Sequence, residues 1–247
     1  MDRNELLSYL NKLLKVDEFS DASPNGLQVE GKSEINSIIC GVSSSERLFQ
    51  IAVSKGADMI IVHHGLFWKR DPSPLTITGI RRNRLAFLLQ NDLNLVSYHL
   101  PLDAHEEFGN NIQILRRLHI APLQPVEVGY IGICEPPLPL DKLREGIDKE
   151  LETDSMIFDF GPAEVRKLLV ISGSSSFVVE DAARLGVDTF LGGDIREEHV
   201  RVCEELGLNF IAGGHYNTER FGVQALCSHI TEKFGVTTEY IDIPNPI

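Results

Sequence analysis

Two stretches of this chain repeat each other's punctuation at a fixed distance, and this constrains the fold more than any single motif. Gly41-Val42-Ser43-Ser44-Ser45 is followed by Ala52, then Gly56-Ala57-Asp58, then an apolar run into His63-His64. Ser172-Gly173-Ser174-Ser175-Ser176 is followed by Ala182, then Gly186-Val187-Asp188, then an apolar run into Gly193-Asp194. Gly56 and Gly186, Asp58 and Asp188, and His63 and Gly193 each stand 130 positions apart. The next apolar runs also match. Asn94-Leu95-Val96 leads to His99 and Asp103, and Asn209-Phe210-Ile211 leads to His215 and Glu219. A Ser-rich turn, a helix, a glycine stop and a strand therefore occur twice in one order, which is the mark of a duplicated unit. The fold class that follows is α/β, two similar repeats each with a mixed, largely parallel sheet.

The rest of the chain fits that frame. Leu6, Leu7, Leu10, Leu13 and Leu14 share one face of an N-terminal helix. Strands are expected at 27–29, 35–42, up to His63 and at 93–98, with helices at about 45–55, 80–91 and 110–118. Pro122, Pro125, Pro136, Pro137, Pro139 and Pro162 mark the least regular stretch. Within it a strand near 126–134 and a helix near 140–151 are expected. The border between repeats is placed here, giving residues 1–125 and 126–247, with the halves interleaved. Strands at 167–172, 188–191, 208–212 and 236–243 then alternate with helices at about 177–185, 195–206 and 217–233.

Composition narrows the function classes. The formal net charge is -13, and the lysines and arginines form only short groups such as Lys69-Arg70 and Arg81-Arg82…Arg84. That disfavours nucleic acid as a partner, because phosphate contacts supply most of such affinity. No apolar stretch reaches the roughly 20 residues that span a bilayer. The first residues lack the apolar segment of a secretory leader, so a cytoplasmic location is expected. Cys40, Cys134, Cys203 and Cys227 are scattered with no Cys-x-x-Cys pair, which suits free thiols in a reducing compartment.

Three strand ends carry ligand-type side chains: His63 with His64, His99 with Asp103, and His215 with Glu219. In open α/β sheets, ligands sit beyond the carboxyl ends of the strands. Imidazole and carboxylate together are the donor set of zinc, manganese, iron and similar divalent ions. His215 and Glu219 are spaced to share a helix face, whereas Pro101 is expected to leave Asp103 in a loop. So many donors exceed one tetrahedral site with an open position, and a two-metal hydrolytic centre would use them. His99 is the intermediate case, a candidate to orient a ligand. His105, His119, His199 and His229 are read as surface or satisfied histidines. Lys69, Arg70, Arg81 and Arg220 are the cations that would mark a phosphate-bearing substrate.

Pro24-Asn25-Gly26-Leu27-Gln28-Val29-Glu30-Gly31, Val62-His63-His64-Gly65-Leu66-Phe67-Trp68-Lys69, His99-Leu100-Pro101-Leu102-Asp103-Ala104-His105, Gly109-Asn110-Asn111, Gly214-His215…Thr218-Glu219-Arg220 and Ile241-Asp242-Ile243-Pro244-Asn245-Pro246 together resemble the GTP cyclohydrolase 1 type 2 family, also called NIF-three-like. The resemblance covers the whole chain and is strongest to the short bacterial members. It implies two intertwined α/β repeats and a toroidal homohexamer whose interior holds the sites. It also implies two divalent metal ions per subunit, zinc, manganese or iron, held by His63, His64, Asp103, His215 and Glu219. The activity implied is a metal-dependent hydrolase of the GTP cyclohydrolase I type. Its substrate would be GTP or another nucleotide or phosphate-bearing small molecule, with metal-bound hydroxide as the nucleophile. The alternative is a metal-binding scaffold or regulatory interaction protein without turnover of its own.

Overall fold

The computed structural model describes residues 1–247. The chain divides into two compact units, one of residues 1–102 with 223–243, the other of residues 103–222 with 244–247. Each is built on its own sheet.

In the first unit, α1 (Arg3–Leu13) is capped by Asp2, whose side chain accepts from the backbone N–H groups of Asn4 and Glu5. The sheet consists of β1 (Gly26–Val29), β2 (Ser37–Ser43), β3 (Met59–His64), β4 (Asn94–Ser97) and β11 (Thr237–Tyr240). Its order is β1-β4-β3-β2-β11, with β1 antiparallel to β4 and the other pairings parallel. Helices α2 (Glu46–Ser54) and α3 (Gly79–Gln90) make the crossovers. The central strand β3 is apolar on both faces, as a buried parallel strand must be. Ile60 and Val62 lie in a cluster with Phe49, Leu88 and Leu95.

The second unit has the sheet order β5-β6-β8-β9-β10-β7. Its strands are β5 (Ala121–Val126), β6 (Gly129–Pro139), β7 (Met156–Phe158), β8 (Glu164–Val170), β9 (Thr189–Gly192) and β10 (Asn209–Ala212). β8, β9 and β10 run parallel, β7 lies antiparallel on β10, and the β5–β6 hairpin lies antiparallel on β8. Helices α5 (Asn110–Arg117), α6 (Leu140–Leu151), α7 (Val179–Arg184) and α8 (Glu197–Leu206) complete it. The core lies on both sheet faces, one around Ile147, Leu168 and Ile211, the other around Leu169, Phe190 and Phe210.

The repeat seen in the sequence recurs in hydrogen bonds. Asp58 Oδ2 accepts from the N–H groups of Asn36 and Ser37, and Asp188 Oδ2 accepts from those of Arg166 and Lys167. Each carboxylate thereby anchors the neighbouring strand just ahead of the parallel pairing, which begins at Ile38 in one unit and Leu168 in the other. Asn94 accepts from Gly31 N–H and donates to Lys32 O, while Asn209 accepts from Gly161 N–H and donates to Pro162 O. Gly56 and Gly186, both at φ 69°, end α2 and α7 in the left-handed conformation that glycine adopts without strain. β1 and β7 are the corresponding antiparallel edges. The sheets differ beyond β2 and β8, where one unit adds a parallel β11 and the other an antiparallel β6 followed by β5.

Four local expectations change. Asp103 sits in a short helix, α4 (Leu100–Ala104), because Pro101 occupies the first turn, where no backbone donor is required. The Pro-rich stretch holds β5, and an edge strand tolerates Pro122 and Pro125. β7, three residues long, left no readable pattern. α9 (His215–Phe234) begins at His215 itself. The border read from the sequence falls within β5, whereas α4 and α9 each pass from one compact unit into the other. No helix is long and apolar enough to cross a membrane.

Removing either anchoring carboxylate strands two backbone donors, which costs about 1–3 kcal/mol. Asp58→Ala and Asp188→Ala should each lower the urea midpoint accordingly. Burial works against the Asp58 carboxylate, but Lys32 and the two N–H groups outweigh it and hold its pKa below the ordinary value. Its contribution is therefore present above about pH 3.9 and lost as pH falls through the depressed value. Urea midpoints for Asp58→Asn should fall less steeply with acid than those of the wild type.

Candidate metal centre

Each unit carries a cluster of donors at the carboxyl ends of its parallel strands. In the first unit β3 ends at His63 and His64, and His99 follows β4 by two residues. His63 is fully buried, and its Nδ1 lies 2.9 Å from the Tyr98 carbonyl oxygen. A carbonyl only accepts, so Nδ1 carries the proton and Nε2 is the basic nitrogen. His64 Nδ1 lies 3.0 Å from Ser43 Oγ. His99 Nδ1 lies 2.8 Å from Asp21 Oδ1. Burial would raise the Asp21 carboxyl, but the hydrogen bonds from His99 and Asn25 hold it well below the usual carboxylate range. The potential donor atoms of His63, His64 and His99 all lie within 4.8 Å of one another. Trp68 walls this cluster, its ring 5.2 Å from His99 and 5.8 Å from His64.

In the second unit the donors are carboxylate-rich. His215 opens α9, and Glu219 lies one turn on, with His215 Nε2 3.2 Å from Glu219 Oε2. His215 Nδ1 meets Asp194 Oδ2 at 2.8 Å, and Asp194 Oδ1 accepts from Ser174 Oγ at 2.8 Å. Burial disfavours charge on His215, but the carboxylates of Glu219 and Asp194 outweigh it and raise its pKa to about 9. The imidazole is thus a cation between two acids, and a proton stands where an ion would compete for the same electrons. Gly173, at φ 63°, lies against this pair. A Cβ there would come within 2.2 Å of Glu219 Oε1, so a side chain would displace the carboxylate. Asp103 is buried, and its Oδ1 accepts from Asn110 Nδ2 at 2.8 Å and Ser172 Oγ at 3.0 Å. Its backbone oxygen accepts from Asn111.

The chemistry of these donors fits divalent ions of the zinc, iron and manganese kind, since imidazoles and carboxylates are present and no thiol is among them. Their outer atoms are held by second partners, as in established metal sites. Of these partners, Asp21 carried no sequence signal, Ser43, Ser172 and Asp194 stood out only as positions of the repeat, and Asn110 only within a family motif. The one signal that pointed near them was the Ser-rich turn, read only as part of the repeat. Three of the four remaining histidines are engaged elsewhere. His199 Nδ1 bonds Ser176 Oγ, His229 Nε2 bonds Tyr9 Oη, and His105 Nδ1 accepts from Glu107 and Phe108 N–H. Among the candidate phosphate-binding cations, Arg81 pairs with Asp71, and buried Arg220 bonds Glu152 and the Leu151 carbonyl. Arg70 is exposed, 5.5 Å over the Trp68 ring.

Comparison with known proteins places these residues in context. The sequence profile of the family described as Duf34/NIF3 (NGG1p interacting factor 3) matches residues 1–246. A protein of Yersinia pestis named GTP cyclohydrolase 1 type 2 homolog is 42% identical over 98% of both chains. The solved structure titled protein ybgI, of unknown function, is 40% identical and superposes with a TM-score of 0.96 over all of both chains. That of TTHA1606 from Thermus thermophilus is 34% identical, with a TM-score of 0.90 over all of both chains.

An ion held by His215 would have to displace its proton, so divalent-ion affinity at this cluster should rise with pH until about 9. Below that value each pH unit should weaken binding by up to about tenfold through this group. Titrations with cobalt(II) from pH 6.5 to 8.5, and proton release measured in the same runs, check it. Equal affinity across that range would contradict the assignment.

Proposed function

This chain belongs to the Duf34/NIF3 family, and on that premise we propose that it is a dinuclear metal-dependent hydrolase acting on GTP or another phosphate-bearing nucleotide. The observation that carries this reading is the state of the donors: His63, His64, Asp103 and His215 are each gripped at an outer atom by another protein group. Such second partners set tautomer and direction before an ion arrives. With Glu219 they make the five-donor set proposed here for two ions.

Divalent ions supply Lewis acidity and an activated water, and they neutralise phosphate charge. The chain's residues do the remaining work. The Tyr98 carbonyl and Ser43 aim the two adjacent imidazoles, and Asp194 aims His215. Ser172 and Asn110 occupy one oxygen of Asp103. Trp68 with Arg70 offers a flat apolar face and an exposed cation, which suits a base and a phosphate. The relatives' name, GTP cyclohydrolase 1 type 2 homolog, supports GTP as the first substrate to try. A cytoplasmic, toroidal homohexamer belongs to the same proposal; four buried free thiols suit a reducing compartment.

The second reading is a metal-binding scaffold or regulatory interaction protein, favoured by the family's description as an interacting factor. Elemental analysis of the purified protein, with turnover assays on GTP and a phosphoester panel in manganese, iron or zinc, separates the two. The expected result is two ions per subunit and hydrolysis. His63→Ala and Glu219→Ala should lower metal affinity and turnover at least about 100-fold. Two ions without turnover would support the scaffold, and no bound ion would sink both readings. Light scattering tests the hexamer.

A further inference from the structure

Asp21 belongs to no repeat and to no ligand pattern, yet it is among the most heavily engaged side chains of the first unit. It is buried, with its side chain 3% exposed. Oδ1 accepts from His99 Nδ1 at 2.8 Å and from Ser23 N–H at 3.2 Å. Oδ2 accepts from Leu100 N–H at 2.9 Å and Asn25 Nδ2 at 2.9 Å. Asn25 Oδ1 in turn accepts from His99 N–H at 2.8 Å. Both the ring and the backbone of His99 are therefore clamped by one turn of the chain, residues 21–25. The ionised carboxylate only accepts, so His99 Nδ1 holds the proton in that bond and Nε2 is the other ring nitrogen.

That places His99 in the same arrangement as its neighbours. His63, His64 and His99 each have Nδ1 against a protein oxygen. Their rings are mutually close, 4.8 Å from His63 to His64, 4.8 Å from His63 to His99 and 5.6 Å from His64 to His99. A carboxylate behind an imidazole is the usual outer partner of a metal-ligating histidine, because it fixes the ring and raises its basicity. We propose that His99 is a third imidazole donor of the first unit's metal site and that Asp21 is its positioning residue. Three imidazoles select a borderline ion such as zinc(II), cobalt(II) or iron(II) over magnesium, which prefers oxygen. The inference rests on the metal-binding reading above and adds a donor to it.

The test uses the full chain, stripped with a chelator and titrated with cobalt(II) alone. Visible absorption and ion content are followed in wild type, His99→Ala and Asp21→Asn. Losing the third imidazole should weaken cobalt(II) binding at least about tenfold and change the band shape. Asp21→Asn should weaken it about tenfold, and free imidazole should restore the His99→Ala spectrum. In parallel, zinc(II) added to 15N-histidine-labelled wild type should shift the His99 Nε2 resonance; this reads the same point if either variant fails to fold. Unchanged cobalt(II) affinity and spectrum in His99→Ala, or an unmoved His99 Nε2, overturns this inference alone. A wild type that takes up no ion overturns the metal-binding reading with it.

Discussion

A buried carboxylate at the start of β3 and its counterpart at the start of β9 hold the two sheets to their register. Asp58 and Asp188 each accept two N–H groups from the neighbouring strand just ahead of its parallel pairing. Parallel strands have no hairpin to set their stagger, so such an anchor determines where a strand that starts at one edge will end. In a period-two structure, a slip of one residue would turn every side chain to the other face. The anchors lie at the opposite end of the strands from the donors. They therefore decide that His63 and His64 emerge at the end of β3, and that Gly193 and Asp194 emerge just after β9.

From that shared frame the two units have diverged in chemistry. The first delivers imidazoles, each steered by a carbonyl, a hydroxyl or a carboxylate. The second replaces the paired histidines with Gly193-Asp194. It uses the aspartate to hold His215, which Glu219 flanks one helical turn along. Without an ion this second cluster keeps a proton on His215, because two acids at 2.8 and 3.2 Å outweigh the cost of burying the charge. One duplicated scaffold thus supplies a nitrogen-rich donor set and an oxygen-rich one, which a single unrepeated sheet end has little room to do.

The fold was widely legible because its signals are local. Gly56 and Gly186 stop helices by a backbone property that needs no partner. The apolar runs of β3, β4, β9 and β10 mark strands buried on both faces. Family resemblance rested on short motifs whose residue types stand at the strand ends themselves. What escaped was of another kind. β7 is too short for a period to show, β5 hides two prolines in an edge, and α4 starts on a proline that breaks a helix only in its interior. The partners of the donors also escaped. Asp21 lies 78 positions from His99, and Ser172 lies 69 from Asp103. No spacing rule links residues so far apart.

By itself the sequence determined the duplicated α/β frame, the family and the histidines and acids at the strand ends, because periodicity, glycine stops and motif spacing act over a few residues. Tertiary structure alone decided which atom of each donor is engaged. It turned His63 on the Tyr98 carbonyl, set His99 against Asp21 and pressed Gly173 to the Glu219 carboxylate. Those choices depend on hydrogen-bond geometry between segments distant in the chain, and only the packed sheets bring such segments within reach.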